Sequence, residues 1–244
     1  VSTRRLQATQ MFQDAATFGG REAMFYAKNS QMLTLSAADL ARFRETDSHD
    51  PAIELAIFRS ASWPYYGYPH GFTAPASGRY RVRFSARSVQ QIRDFRLRPG
   101  EATVPLTFRA RQASGPDVSG DVRATGGILD ITPVASTFET TLLLKRGETF
   151  EYSLLGLPVP RPINPVNAPL YYDFPPMPAN GHPGIAFQWL ELEGPLPPPH
   201  WPPPSHQVLF GDLPIRAAEQ GSLPIELVAA DDSDEADRLL RRFL

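Results

Sequence analysis

The chain has 244 residues, 42% of them hydrophobic, with no cysteine and a formal charge of −2 from 24 basic and 26 acidic side chains. That length and apolar content suit one large all-β domain or two smaller ones, and the near-neutral balance gives no electrostatic reason to bind nucleic acid or an anionic membrane. Without cysteine, disulfides, thiolate zinc sites, iron–sulfur ligation and Cys-x-x-Cys-His haem attachment are excluded from these residues.

No apolar run approaches the roughly 20 residues that cross a bilayer, so membrane insertion is not expected. The opening VSTRRLQATQ has neither an initiator Met nor a signal-peptide apolar stretch, and the chain is expected to be part of something longer. Leu6, Met11, Phe12 and Ala15 at helical spacing predict a short amphipathic helix over residues 4–16. Ser36 followed by Asp39 has the form of a capping box and predicts a second helix over residues 37–44, with Leu40 and Phe43 as its apolar side. Asp47, Ser48, Asp50 and Pro51 end it.

From residue 52 the apolar period changes from helical to two. In RYRVRFSARSV, Tyr80, Val82, Phe84 and Ala86 alternate with Arg79, Arg81, Arg83, Ser85 and Arg87, which predicts a strand with one dry and one cationic face. The same alternation runs through Ile53/Leu55/Ile57, Val104/Leu106/Phe108/Ala110, Phe138/Thr140/Leu142/Leu144 and Phe150/Tyr152/Leu154. WPYYGYPHGF, residues 63–72, gathers one Trp, three Tyr, one Phe and one His, and reads either as an aromatic platform for a ligand or as a proline-bent piece of core. Arg146-Gly147 separates two strands at hairpin distance. With no helical pattern between residues 52 and 195, the fold class is mostly β: an antiparallel β-sandwich or jelly roll with short flanking helices at both ends.

Residues 158–204 hold 16 of the 26 prolines, which bars most of that stretch from a central strand. The exception is GIAFQWLELEG at 184–194, which reads as a buried strand. The expected organisation is a lead-in over 1–50, a sandwich over 51–195 with a proline-rich insertion at 158–183, a proline-rich exit over 196–230, and the start of a truncated helical domain over 231–244. That last segment has Ser233 as cap, Asp234 and Glu235 in the first turn, and Leu239, Leu240 and Phe243 on one face.

The common hydrolase, zincin and nucleotide-binding signatures do not occur. His49, His70, His182, His200 and His206 are scattered where a zinc site needs three or four convergent ligands. Asp231, Asp232, Asp234 and Asp237 lack the Gly and Glu of a calcium loop and are better read as an acidic helix start. Glu191 and Glu193 fall on one strand face, either as paired carboxylates of a glycan-active enzyme or as a solvated edge. Arg79, Arg81, Arg83 and Arg87, followed by Arg93, Arg96 and Arg98, are either a site for an acidic sugar or a solvent face paired with carboxylates on the next strand.

In order, GFTAPASGRYRVRFSAR, VPLTFRAR, GDVRAT, FETTLLLKRGETFEYSLL and GIAFQWLELEG resemble the strand succession of carbohydrate-binding-module jelly rolls, in particular the calcium-dependent xylan-binding kind. WPYYGYPHGFTAPASGRYRVRFSA, WLELEGPL, WPPPSHQVLFGDLP and the terminal DRLLRRFL resemble large planctomycete-type cytochrome c proteins built from several domains of unknown function. The first resemblance implies a non-catalytic polysaccharide-binding domain, with Trp63, Tyr65, Tyr66, Tyr68, Tyr171, Tyr172 and Trp201 as candidate stacking residues. It further implies that WPYYGYPHGF is a mostly packed, edge-like strand before a hairpin at Pro75 to Gly78, with Tyr66, Tyr68, His70 and Phe72 on one face, Phe72 in the core, and Trp63 and Tyr65 left at the entry. It also implies calcium, for which Gln188, Glu191 and Glu193 are the candidate ligands, Gln188 offering an uncharged amide oxygen where related modules have an Asp. The second implies a secreted, periplasmic or envelope protein with c-type haem in other domains. Three functions follow: polysaccharide binding, a scaffold that docks the neighbouring domains of the parent protein, and a glycan-active enzyme using Glu191 and Glu193.

Overall fold

The structure, a computed structural model, describes residues 1–11, 23–45, 53–58, 68–113, 122–157 and 176–197, with residues 161–163, 171–173, 208, 210–211, 213, 215–217, 225–227 and 233–241. Two compact units are present, Val1–Leu196 and Pro197–Leu244. In chain order the first unit contains β1 (Ser2–Gln7), β2 (Ala23–Ala27), β3 (Met32–Leu33), α1 (Ala37–Glu45), β4 (Ile53–Ile57), β5 (Gly78–Gln91), β6 (Leu97–Pro99), β7 (Val104–Gln112), β8 (Arg123–Ile131), β9 (Ser136–Leu144), β10 (Glu148–Leu154), β11 (Arg161–Ile163), β12 (Tyr171–Asp173) and β13 (His182–Leu196). The second contains the short hairpin β14 (Ile215–Ala217) and β15 (Ile225–Leu227), and α2 (Ser233–Leu240).

The first unit is a nearly closed antiparallel β-sandwich. Its large sheet has eight strands in the path β3-β2-β4-β13-β5-β6, with β1 beside the second half of β13 and β9 beside the first half of β5. The facing sheet is β10-β7-β8. Alternation works as expected where β5 and β7 supply the two inner faces: Tyr80, Val82, Phe84 and Ala86 from one sheet and Leu106, Phe108 and Ala110 from the other are all buried. Phe84 stands edge-on to Phe108 at 5.8 Å between ring centroids, Phe108 meets Phe150 at 5.6 Å, and Tyr152 meets Phe187 at 5.1 Å, so rings from four strands interlock. Such pairs add about 1 kcal/mol each beyond the area they bury.

On one side the two sheets are nearly joined. The register between β7 and β8 jumps at Thr107/Phe108 because Gly126 and Gly127, with φ of +82° and +72°, form a bulge that only glycine enters without strain. The bulge frees their carbonyls. Thr107 donates to Gly127 O at 2.7 Å, Thr140 of β9 donates to Gly126 O, and Leu143 N donates to Thr125 Oγ1 at 2.9 Å, which ties β8 to β9 across the gap.

The helix predicted at 37–44 forms as α1, with the Ser36–Asp39 box closed in both directions: Asp39 N donates to Ser36 Oγ at 3.1 Å and Ser36 N donates to Asp39 Oδ2 at 3.0 Å. Three other expectations fail. Residues 2–7 are strand and Ala8–Gln10 a single tight 3-10 turn, in place of the first two turns of a helix over 4–16. The free edge of β13 decides this, since it pairs with Thr3 to Gln7 in register and buries Leu6 opposite Leu190. A short isolated helix has only its own hydrogen bonds to offer against that ladder. As a result β1, β2 and β3, all within the first fifty residues, belong to the main sheet.

The described part of WPYYGYPHGF is a turn, not a strand. His70 N donates to Gln10 O at 2.9 Å, Arg4 donates to Gly71 O at 2.7 Å, and Gly71 has φ +61°. Phe72 nevertheless reaches the core as expected, 5.8 Å from Phe150. Finally, Arg146-Gly147 does not close a hairpin: β9 pairs with β5 in one sheet and β10 with β7 in the other, so the tight turn carries the chain between sheets. Sequence distance alone does not distinguish a hairpin from a crossover of this length.

Candidate functional site

The outer face of the eight-stranded sheet has two different ends. At one end Met24, Tyr26, Ala56, Phe58, Val89, Leu97 and Ala186 form a second apolar cluster, because β2, β4 and the first half of β13 are apolar on both faces. Tyr26 is fully buried there, its hydroxyl accepting from Gln91 Nε2 at 3.1 Å, and burial pushes its phenol up to about 12. Ionising it would place a charge in an apolar setting.

At the other end the face is wet and charged. Arg81 donates to Glu193 at 2.9 Å and lies 3.7 Å from Glu139; Arg83 lies 3.5 Å from Glu191 and 3.6 Å from Glu139; Arg5 lies 3.8 Å from Glu191. Cations of β1 and β5 therefore alternate with carboxylates of β13 and β9 across four strands. Arg81 and Arg83 of the arginine stripe thus lie on a solvent face paired across strands. Arg87 is the extreme case, holding the buried Glu54 in a fork at 3.1 and 2.7 Å. Glu54 also accepts from Gln188 Nε2 at 3.2 Å, and Ser85 donates to Gln188 Oε1 at 2.9 Å, so this network marks the border between the dry and wet ends.

One residue here was not a stacking candidate from the sequence. Strict alternation would place Trp189 on the same face as Phe187, inside the sandwich. The register between β13 and β5 jumps at this point: Phe187 faces Ala86, and Trp189 faces Ser85. Two residues of β13 thus oppose one of β5, and both Gln188 and Trp189 lie half-buried on the outer face while Phe187 and Leu190 remain in the core. The guanidinium of Arg5 lies 4.2 Å over the indole. The sequence signal that was available is the phase break itself, Phe187 to Leu190 being three residues apart and both apolar.

Of the candidate stacking residues, Tyr68 is 8% exposed, with the Arg111 guanidinium 5.7 Å from its ring centre. Trp63, Tyr65, Tyr66 and Trp201 lie outside the described residues, as do the side chains of Tyr171 and Tyr172, whose backbone pairs as β12 with β11. The candidate calcium ligands are on the outer face, with Gln188 Oε1 engaged by Ser85 and Glu191 and Glu193 facing guanidinium groups. Among the described residues no three His, Asp or Glu side chains come together in a way that could hold a metal ion. No described helix is long and apolar enough to cross a membrane.

No family model matches the chain, and comparison with curated proteins finds no match. Among solved structures, the CBM22-1 xylan-binding domain of Paenibacillus barcinonensis Xyn10C is 6% identical at a TM-score of 0.37, covering 77% of this chain and 91% of that one. The K1 cleaved adhesin domain of Lys-gingipain from Porphyromonas gingivalis W83 is 10% identical at 0.40, covering 80% and 100%. The Clostridium thermocellum endo-1,4-β-D-xylanase 10B structure with its CBM22-1 and GH10 modules is 6% identical at 0.39 over 78% of this chain, which spans 27% of that one. At these identities and TM-scores the likenesses carry no argument, and the sandwich stands on its own strand pairing.

Proposed function

We propose that the unit Val1–Leu196 is a non-catalytic, polysaccharide-binding accessory module whose binding surface is the wet end of the outer face, centred on Trp189. The observation that carries this reading is the bulge at Gln188–Trp189, which moves an indole out of the core and sets it among hydrogen-bonding side chains. An aromatic face beside a few oriented polar groups is the chemistry that recognises a pyranose ring. Because Arg5, Arg81 and Arg83 are matched by Glu139, Glu191 and Glu193, the surface suits a neutral glycan. Xylan is the first to try, on the strength of the sequence resemblance to xylan-binding modules.

In the free protein Arg5 occupies the position over the indole. A stacking sugar takes that place, and the displaced guanidinium, still beside Glu191, donates to sugar hydroxyls. Titration calorimetry with soluble xylan, glucan and mannan oligosaccharides tests this. Trp189→Ala should weaken binding at least tenfold, while Arg5→Ala, which removes the competitor for the indole, should weaken it far less. Undiminished binding by Trp189→Ala, or no binding of any of these glycans by the wild type, overturns it.

A second reading, a scaffold that docks neighbouring domains of the parent protein, draws support from Ile128, Val134 and Leu143, which expose 66%, 74% and 59% of their surface on β8, β9 and the turn between them. Loss of co-purification of those domains with an Ile128→Ser/Leu143→Ser variant is its test. The wider context proposed here, a secreted or envelope-located parent with c-type haem in other domains, rests on the resemblance carried by WPPPSHQVLFGDLP and DRLLRRFL. Haem staining of the full-length native product in envelope fractions checks it.

A further inference from the structure

Two tight turns lie side by side at one corner of the large sheet. One, between β2 and β3, carries Lys28 and has Ser30 at φ +65°; the other, between β5 and β6, has Asp94 at φ +60° and Phe95 at φ +55°. Leu97 N donates to Ser30 O at 3.3 Å, which holds them together.

Phe95 is a poor choice for a structural turn. The left-handed conformation there is one that glycine or asparagine enters readily and a bulky side chain does not. The residue is also 39% exposed, and its ring makes no ring contact among the described residues. The residue is thus costly in backbone, and it leaves part of an apolar side chain in water with no ring pair among the described residues to hold it.

Its neighbours are cations. Lys28, Arg93 and Arg96 are exposed, and among the described residues none has a carboxylate partner, unlike Arg81, Arg83 and Arg87 of the same hairpin. Asp94 is the one acid on the two turns. Alongside, a hollow of about 520 Å³ is lined by Ile92, Arg93, Met177, Pro178, Ala179 and Gly181, a size in the range of small-ligand sites.

We propose that this corner is a second ligand site, for a polysaccharide carrying carboxylate or sulfate groups. Phe95 stacks on a sugar ring, Arg93 and Arg96 pair with the anionic substituents on either side of it, and Lys28 adds to the local positive field. The acidic-sugar chemistry that the sequence suggested for these arginines thus belongs at the tip of the hairpin, where Arg93 and Arg96 have no carboxylate partner among the described residues. Asp94 between the two arginines sets an upper limit on charge density, which favours a glycan over a nucleic-acid backbone. The site is separate from Trp189 and takes charged ligands where the outer face takes neutral ones, so the two readings fail independently.

The test is affinity electrophoresis of the intact chain in gels containing polygalacturonate, dextran sulfate or uncharged dextran, with a single-stranded oligothymidylate as competitor. Retardation by polygalacturonate identifies a carboxylate ligand and retardation by dextran sulfate a sulfate one, with none expected in dextran. Arg93→Ala/Arg96→Ala should reduce affinity at least tenfold. Phe95→Gly should raise Tm, because glycine relieves the left-handed residue, and at the same time weaken binding. A lower Tm for Phe95→Gly would make the ring structural and overturn the proposal. So would full retardation of the double variant, absence of retardation by both polyanions, or tighter binding of the oligonucleotide than of either glycan.

Discussion

Glu54 is buried on the border of the dry and wet ends, and it accepts three hydrogen bonds, two from Arg87 and one from Gln188. Replacing it by Ala leaves Arg87, whose side chain is 17% exposed, without the carboxylate that neutralises it. Breaking a buried pair from one side costs about 3–5 kcal/mol; the residual exposure of Arg87 places this case near the lower end, at about 3 kcal/mol. Glu139 offers the contrast, since its pairs with Arg81 and Arg83 are 3.7 and 3.6 Å long and about half exposed, a class worth about 0–1 kcal/mol. Urea unfolding followed by far-UV circular dichroism should therefore rank Glu54→Ala well below Glu139→Ala. Glu54→Leu/Arg87→Leu, which removes both charges, should recover most of the loss. Equal costs for Glu54→Ala and Glu139→Ala, or a double variant no better than the single, would refute the assignment of Arg87 to structure.

Tyr26 makes stability depend on alkaline pH. Its folded-state phenol is raised from 10.0 to about 12, so between those values the unfolded chain releases a proton that the folded chain keeps, and stability falls as pH rises, by up to about 1.4 kcal/mol per pH unit. Urea midpoints at pH 9, 10 and 11 should drop more steeply for the wild type than for Tyr26→Phe; parallel curves would count against it. Gly184→Ala would bring a methyl group within 2.5 Å of Ile57 O and of the Phe58 ring. Overpacking of this kind costs about 1–3 kcal/mol, and thermal melts should show it. Because Glu191 and Glu193 are matched by arginines and Gln188 Oε1 by Ser85, calcium at about 10 mM, enough to fill weak extracellular sites, should leave Tm unchanged, and a rise that Gln188→Ala abolishes would establish calcium at these residues.

The inner faces of β5, β7, β9 and β10 were legible because each strand is regular along its own length. Tyr80 to Ala86 and Val104 to Ala110 alternate without interruption, and the core lies where the alternation places it. The α1 cap was legible for the same reason, Ser36 and Asp39 being three residues apart. The candidate site was not. Trp189 reaches the outer face through a bulge that breaks the phase of β13, and the roles of Arg81, Arg83 and Arg87 depend on which carboxylates stand on the strands beside them.

Composition and short-range pattern alone determined an antiparallel, mostly β chain, the identity of the core rings, and the position of one capped helix. These are properties of windows a few residues wide, where side-chain period and turn chemistry act locally. Only the tertiary structure decided that residues 2–7 are a strand, that Gly147 turns between sheets, and that Arg81, Arg83 and Arg87 of β5 are engaged while Arg93 and Arg96 at its tip have no carboxylate partner among the described residues. Each of these depends on a partner far away in sequence, and a period of two carries no information about which distant strand will be that partner.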